Sequence, residues 1–163
     1  ELPGAGVGIL ARLAHRSLGY YRDPAASADM WRDGALGPFT STGDTVQRLD
    51  DGRFTLLGRG ATTINTGGEK VFAQEVETAI AQLPGVVGCL VLGVPSAVWG
   101  REVQALVVWE DDPLPLDEVR TRLAARLARY KLPKRVWPVD AIPALNNGKP
   151  DYAAAQRLVS ASA

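Results

Sequence analysis

Residues 58–77, GRGATTINTGGEKVFAQEVE, decide how the rest of the chain is read. The stretch opens on Gly58-Arg59-Gly60-Ala61, passes through a short polar run from Thr62 to Thr66, and reaches Gly67-Gly68 before residues with helical spacing. Glycine adopts backbone angles closed to other residues and lets a partner approach the main chain. Two glycine clusters this close together predict a chain that bends and then presents backbone to a ligand. Glycines alone fit equally well a pair of ordinary turns around a hairpin.

Outward to the carboxy terminus, helices and strands alternate. Val76, Ile80 and Leu83 recur at helical spacing from Ala73, and Pro84-Gly85 ends that helix. Residues 86–94 form a nearly continuous apolar strand closed by Pro95, and residues 103–109 form another. Leu116, Val119, Leu123, Leu127 and Tyr130 share one face of an amphipathic helix. A short third strand is predicted over 135–139 and a terminal helix over 151–159. The expected fold class is α+β, a small three-stranded sheet with flanking helices.

Outward to the amino terminus, residues 1–57 read as turns and short strands. Gly4, Gly6 and Gly8 precede the strand-like Ile9-Leu10-Ala11 and open no helix, which argues against a dinucleotide-binding loop. Leu18-Gly19-Tyr20-Tyr21 reads as a surface loop with two anchoring tyrosines, and residues 25–31 as a short helix. In Ser41-Thr42-Gly43-Asp44 the aspartate can close a turn on backbone amides. Its carboxylate can instead accept the two hydroxyls of a ribose diol. Residues 46–49 and 54–57, joined through Asp50-Asp51-Gly52, read as a hairpin.

Composition narrows the function classes. The 163 residues suffice for one ordinary domain, or a small domain plus a piece of another. With 46% hydrophobic and 22% charged residues, the make-up is that of a soluble globular protein. Zero formal net charge supplies no global field for nucleic acid or an anionic membrane. Cys89 is the only cysteine and His15 the only histidine, which excludes an internal disulfide and clusters of either residue around a metal. Cys89 sits in the apolar run 86–94 and reads as a core residue. No stretch approaches the roughly 20 apolar residues of a transmembrane helix, the start is unlike a signal peptide, and the expected location is cytoplasmic.

Three pieces stand in order: Ser41-Thr42-Gly43-Asp44 with its hairpin, the central glycine-rich stretch, and Pro143-Ala144-Leu145-Asn146-Asn147-Gly148-Lys149. In that order the chain resembles, from about Gly4 to Leu158, the carboxy-terminal part of an acyl-CoA synthetase of the fatty-acid–CoA ligase type. These enzymes belong to the adenylate-forming (AMP-binding) superfamily. The resemblance implies that residues 1–58 are the β-rich end of a large amino-terminal AMP-binding domain, 59–61 a hinge, and 62–163 a mobile carboxy-terminal domain. It assigns Asp44 to the ribose of ATP and Arg59 to ribose or phosphate. Ala61 falls at the swivel, where relatives usually carry aspartate or lysine, a departure that weakens a charged latch. Gly67, Gly68 and Glu69 would line the tunnel for the pantetheine arm of CoA, with Trp99 stacking or packing nearby. Asn65 stands where many relatives carry lysine.

Acyl adenylate formation brings a carboxylate against the α-phosphate of ATP, so the transition state needs a cation beside the developing negative charge. Lysine offers a compact charge on a long stem, and the family's proline–glycine–lysine pattern is met by Pro143, Gly148 and Lys149. A lone Gly-Lys is more often a solvated turn; the resemblance gives Lys149 the adenylation role. The basic run Arg120, Arg122, Arg126, Arg129, Lys131, Lys134 and Arg135 reads as a solvated helix face or as a landing patch for CoA phosphates. The net charge is zero, so nucleic acid is not an expected partner.

The implied activity is ATP-dependent conversion of a carboxylic acid, fatty by the wording Thr66-Gly67-Gly68-Glu69-Lys70, into an acyl-CoA. The implied substrates and cofactors are the acid, ATP, CoA and Mg2+ carried by ATP, with no metal site in this chain. The phosphate loop and acyl pocket of the family lie upstream of the matching segment, so this segment alone is expected to be inactive. Alternatives are an aryl-CoA ligase, a carrier-loading adenylation domain or, in another class, a non-catalytic binding module. A homo-oligomer is compatible with the sequence.

Overall fold

The computed structural model describes residues 6–13, 18–35, 37–59 and 62–161, with Arg59 described by its backbone alone. The chain divides into two compact units, Glu1–Ala61 and Thr62–Ala163.

The first unit contains β1 (Gly6–Leu13), α1 (Pro24–Met30), β2 (Trp31–Gly34), β3 (Gly37–Arg48) and β4 (Phe54–Arg59). β3 is central, with β1 antiparallel on one side and β2 and β4 antiparallel on the other. The predicted hairpin is β3–β4, in register from Arg48↔Phe54. Gly52 supplies a φ of +83°, and the Asp51 carboxylate accepts from the Arg53 amide at 3.0 Å and from its Nε at 2.7 Å. α1 starts where Asp23 Oδ1 accepts the Ala26 amide at 2.9 Å, with Pro24 in the first turn.

Two expected turns are strand instead. Ser41-Thr42-Gly43-Asp44 lies inside β3, where Leu10 alone faces Thr42, Gly43 and Asp44 between the pairs Ile9↔Thr45 and Ala11↔Ser41. The turn chemistry survives as a bulge, with Gly43 at φ +75°. Pairing of β3 on both edges keeps the chain extended around it. Gly58-Arg59 likewise ends β4, opposite Thr45 and Asp44, while Gly60 and Ala61 lie outside the described residues.

The second unit contains β5 (Thr63–Thr66), β6 (Glu69–Phe72), α2 (Ala73–Ile80), β7 (Val86–Ser96), β8 (Gly100–Trp109), α3 (Leu116–Ala124), β9 (Arg135–Pro138) and α4 (Tyr152–Ala161). The three expected strands are β7, β8 and β9, with β7 antiparallel and β9 parallel to β8. The β5–β6 hairpin joins through Thr66↔Gly100, which makes the sheet five-stranded.

Strand alternation builds a core on each face of this sheet. Val91, Val103, Ala105 and Val107 face α2 and α3 beside Val76, Ile80, Val119 and Leu123. Leu90, Leu92, Val94 and Leu106 pack on the other side with Ala155 and Val159 of α4. Burial on both faces explains why β7 and β8 read as nearly continuous apolar runs. The Asp151 carboxylate caps α4 by accepting the Ala154 amide at 2.9 Å. Cys89 is half-buried against the α2-side core, and burial, reinforced by the Glu77 charge, pushes its thiol up to about 11.

α3 is shorter than the apolar spacing suggests. It ends at Ala124, and a single 3-10 turn follows at Arg129–Lys131, leaving Leu127 buried but Tyr130 exposed. Pro133 forces the residue before it into an extended conformation, and the Lys134 amide then donates to the Val103 carbonyl at 2.8 Å, leading into β9. Among the described residues no helix is long and apolar enough to cross a membrane.

Candidate functional site

In the first unit, Asp44 and Arg59 are direct cross-strand partners at the end of the β3–β4 ladder. The Asp44 amide donates to Thr42 Oγ1 at 3.2 Å, the Gly43 amide to Ser41 Oγ at 3.3 Å, and the Thr42 hydroxyl to the Leu10 carbonyl at 3.0 Å. Neighbouring hydroxyls therefore occupy the amides that an aspartate in a simple turn would take. The bulge presents a half-buried Asp44 beside the Arg59 backbone.

In the second unit, Gly67-Gly68 is the two-residue turn of the β5–β6 hairpin, closed by Thr66↔Glu69. Both glycines have positive φ, +57° and +87°, as a right-twisted two-residue hairpin requires. The Gly67 amide donates to the Trp99 carbonyl at 3.0 Å. A Cβ on Gly67 would lie 2.8 Å from Trp99 Cε3, whereas one on Gly68 would meet open space. The turn thus has a face closed by the indole and a face open to solvent, with Glu69 exposed beside it. Gly67, Gly68, Glu69 and Trp99, far apart in sequence, form one cluster.

Lys149 stands on a separate loop. The Leu145 amide donates to the Lys149 carbonyl at 2.8 Å, the Gly148 amide to the Leu145 carbonyl at 2.8 Å, and the Lys149 amide to Asn147 Oδ1 at 3.1 Å. Gly148 takes φ +77°, a bridge pairs Ala144 with Pro150, and the Asp151 amide returns to the Pro143 carbonyl at 2.8 Å. The backbone beneath Lys149 is fixed, while its side chain is exposed and makes no ion pair among the described residues. A held base carrying a free cation can deliver charge to an anion without first unfolding a turn.

The basic run separates into individual uses. Arg122 bonds Glu118 one helical turn away at 2.7 Å, and Arg126 reaches Gln82. Lys131 pairs with both Glu75 oxygens at 2.6 and 2.8 Å, with both side chains largely buried. The Lys134 ammonium sits 5.3 Å from the centroid of the Trp99 ring, and Arg135 lies over Trp137 at 5.7 Å. Arg120 and Arg129 line a shallow cleft of about 530 Å3. Sequence reasoning missed the Lys134–Trp99 contact and a buried relay: Gln104 is 3% exposed, accepts the Trp137 indole N–H at 2.7 Å and donates to Glu102 at 2.7 Å. A glutamine in the middle of an apolar strand was the available signal.

The AMP-binding enzyme C-terminal domain matches residues 75–149. The 3-oxocholest-4-en-26-oate–CoA ligase of Rhodococcus rhodochrous is 43% identical over 152 residues, covering 92% of this chain and 27% of that enzyme. The medium/long-chain-fatty-acid–CoA/3-oxocholest-4-en-26-oate–CoA ligase of Mycolicibacterium smegmatis is 39% identical, covering 92% of this chain and 28% of that enzyme. ATP-bound MatB from Rhodopseudomonas palustris superposes with a TM-score of 0.79 at 32% identity, over 96% of this chain and 31% of that one. The chain thus spans little more than a quarter of the curated relatives' length. With its fold and these relatives together, the chain belongs to the adenylate-forming, AMP-binding enzymes and corresponds to their carboxy-terminal part.

Proposed function

We propose that the chain supplies the carboxy-terminal part of an ATP-dependent acyl-CoA synthetase acting on a fatty or similarly large hydrophobic acid. The names of the ligases from Rhodococcus and Mycolicibacterium support that substrate class. In the first half-reaction a carboxylate oxygen bonds the α-phosphorus of ATP and pyrophosphate leaves. Lys149 stabilises the charge that gathers between the two anions, and Asp44 and Arg59 hold the nucleotide. In the second, the CoA thiol loses its proton, sulfur bonds the acyl carbon, and AMP leaves. Gly67, Gly68, Glu69 and Trp99 then line the path of the pantetheine arm. Residues 1–58 act as the end of the large domain, 59–61 as the hinge, with Ala61 the swivel, and 62–163 as the moving domain. Mg2+ enters with ATP; among the described residues no three His, Cys, Asp or Glu side chains converge, and none is assigned to it.

The observation that carries this reading is the Lys149 loop, whose backbone is locked while its cation is free. Lys149→Ala, made in the protein together with its phosphate-loop domain, is expected to slow pyrophosphate release by about 10²-fold or more. Acyl transfer from preformed acyl adenylate to CoA should persist. A loss of pyrophosphate release below about tenfold would return Lys149 to a solvated turn. Failure of the unmutated protein in both half-reactions would favour a non-catalytic binding module.

A further inference from the structure

We propose that Lys134 is a positioning residue for the Gly67-Gly68 turn, acting through the Trp99 indole. The proposal rests on the reading of that turn as the wall of the thiol channel. Trp99 is 46% exposed and stands on the short link between β7 and β8. Its Cε3 would lie 2.8 Å from a Cβ on Gly67, and its carbonyl accepts the Gly67 amide at 3.0 Å. The Lys134 ammonium lies 5.3 Å from the same ring's centroid. An ammonium over an indole face is attracted by the ring quadrupole, most strongly of the aromatic rings for tryptophan.

The lysine has a fixed point of departure. Pro133 is wholly buried before it, Leu132 is buried, and the Lys134 amide donates to the Val103 carbonyl at 2.8 Å. The preceding 3-10 turn is itself tied to α2 by the Lys131–Glu75 pair, and α2 follows the hairpin directly through β6. The segment ending at Lys134 and the hairpin carrying Gly67 are thus anchored on the same body, with Trp99 between them. Held by Lys134, the indole keeps the closed face of the turn in place and so fixes the width left to a slender thiol arm.

The test compares wild type, Lys134→Met and Lys134→Arg in acyl transfer from preformed acyl adenylate, in the protein with its phosphate-loop domain. Two thiols are used: CoA, and pantetheine, which lacks the phosphates. The Met substitution should raise KM for both thiols by the same factor, about two- to fivefold for an exposed cation–π contact, with kcat changing less, and Arg should restore both. A rise confined to CoA would make Lys134 a phosphate contact and overturn the proposal; no rise with either thiol would do the same. Hydrogen exchange at the Gly67 amide tests the pin separately from the channel. Exchange should quicken about two- to fivefold in the Met variant, and unchanged protection overturns the proposal whatever the activity. Faster exchange in a protein that transfers to neither thiol would uphold the pin and reject the channel.

Discussion

Each unit is a sheet around one long strand, β3 in the first and β8 in the second, but the two strands are held differently. β3 is paired on both edges, yet among the described residues of its unit only Thr45, Val46, Leu57 and Gly58 are buried, and Ile9 and Phe54 remain 56% and 59% exposed. β8 is paired on both edges and also covered on both faces, by α2 and α3 on one and α4 on the other. Backbone pairing and core burial are therefore separable ways of specifying a strand. Burying an aliphatic side chain contributes about 1.5–3 kcal/mol, while ordering one residue's backbone costs about 1–2 kcal/mol. Among the described residues, Val46 and Leu57 are the only buried aliphatic side chains of the first unit, whereas the second gathers 15 and 6 buried residues in its two cores, so burial contributes far more per ordered residue in the second.

The largest expected effect comes from separating the units. Residues 62–163 expressed alone should unfold in urea as one cooperative transition, seen together by near-ultraviolet and far-ultraviolet circular dichroism. Residues 1–61 alone should show none, and a cooperative transition from them would mean that strand pairing suffices to hold a sheet with little core. A smaller effect is expected inside the second unit from Gln104→Leu. It leaves the Trp137 indole N–H unpaired on the sheet and removes the donor to Glu102. The cost should be about 1–3 kcal/mol, read as a lower urea midpoint at unchanged m-value. An unmoved midpoint would mean that the Gln104 side chain adds nothing to the backbone pairing and apolar packing that hold β9 on β8.

The smallest effect is pH-dependent and belongs to Glu77. Burial holds its carboxyl above the ordinary range, only partly countered by the Val91 amide donating to Oε1 at 2.9 Å. A raised acid binds its proton more tightly folded than unfolded. Its stabilising contribution is therefore present below the ordinary carboxylate value and lost as pH rises through the raised one. Cys89 and Tyr152, both themselves raised, stay neutral in that window. Glu77→Gln should make stability flatter between mildly acidic and neutral pH and give a more stable second unit at neutrality. Parallel pH profiles for variant and wild type would remove Glu77 from the account.

The parts legible in the sequence are those whose burial is periodic. Val76 and Ile80 marked α2, and unbroken apolar runs marked β7 and β8 because both of their faces are covered. The β5–β6 hairpin was harder to read, since its strands have four residues each and expose Asn65, Glu69 and Lys70. Only Gly67-Gly68 announces it, and a glycine pair fits other turns equally well. The end of α3 was misjudged because Leu127 continues the apolar face after the helix has stopped. Gly43 and Gly58 read as turns because strand pairing from β1, β3 and β4 is a long-range fact that local composition does not carry. Motif order placed the candidate residues along the chain. It could not reveal that Trp99 closes Gly67, or that a lysine from the basic run lies over that indole.

The Lys149 loop draws its backbone and Asn147 hydrogen bonds from within one contiguous segment, from Pro143 to Asp151. It is in that sense a cassette, whose shape can be inherited or grafted by exchanging a single short piece of sequence. The Gly67 turn is not, because its shape is shared with Trp99 on another link of the sheet. Recombination between relatives can therefore move the lysine freely, whereas a transplanted glycine turn keeps its form only if its distant tryptophan travels with it.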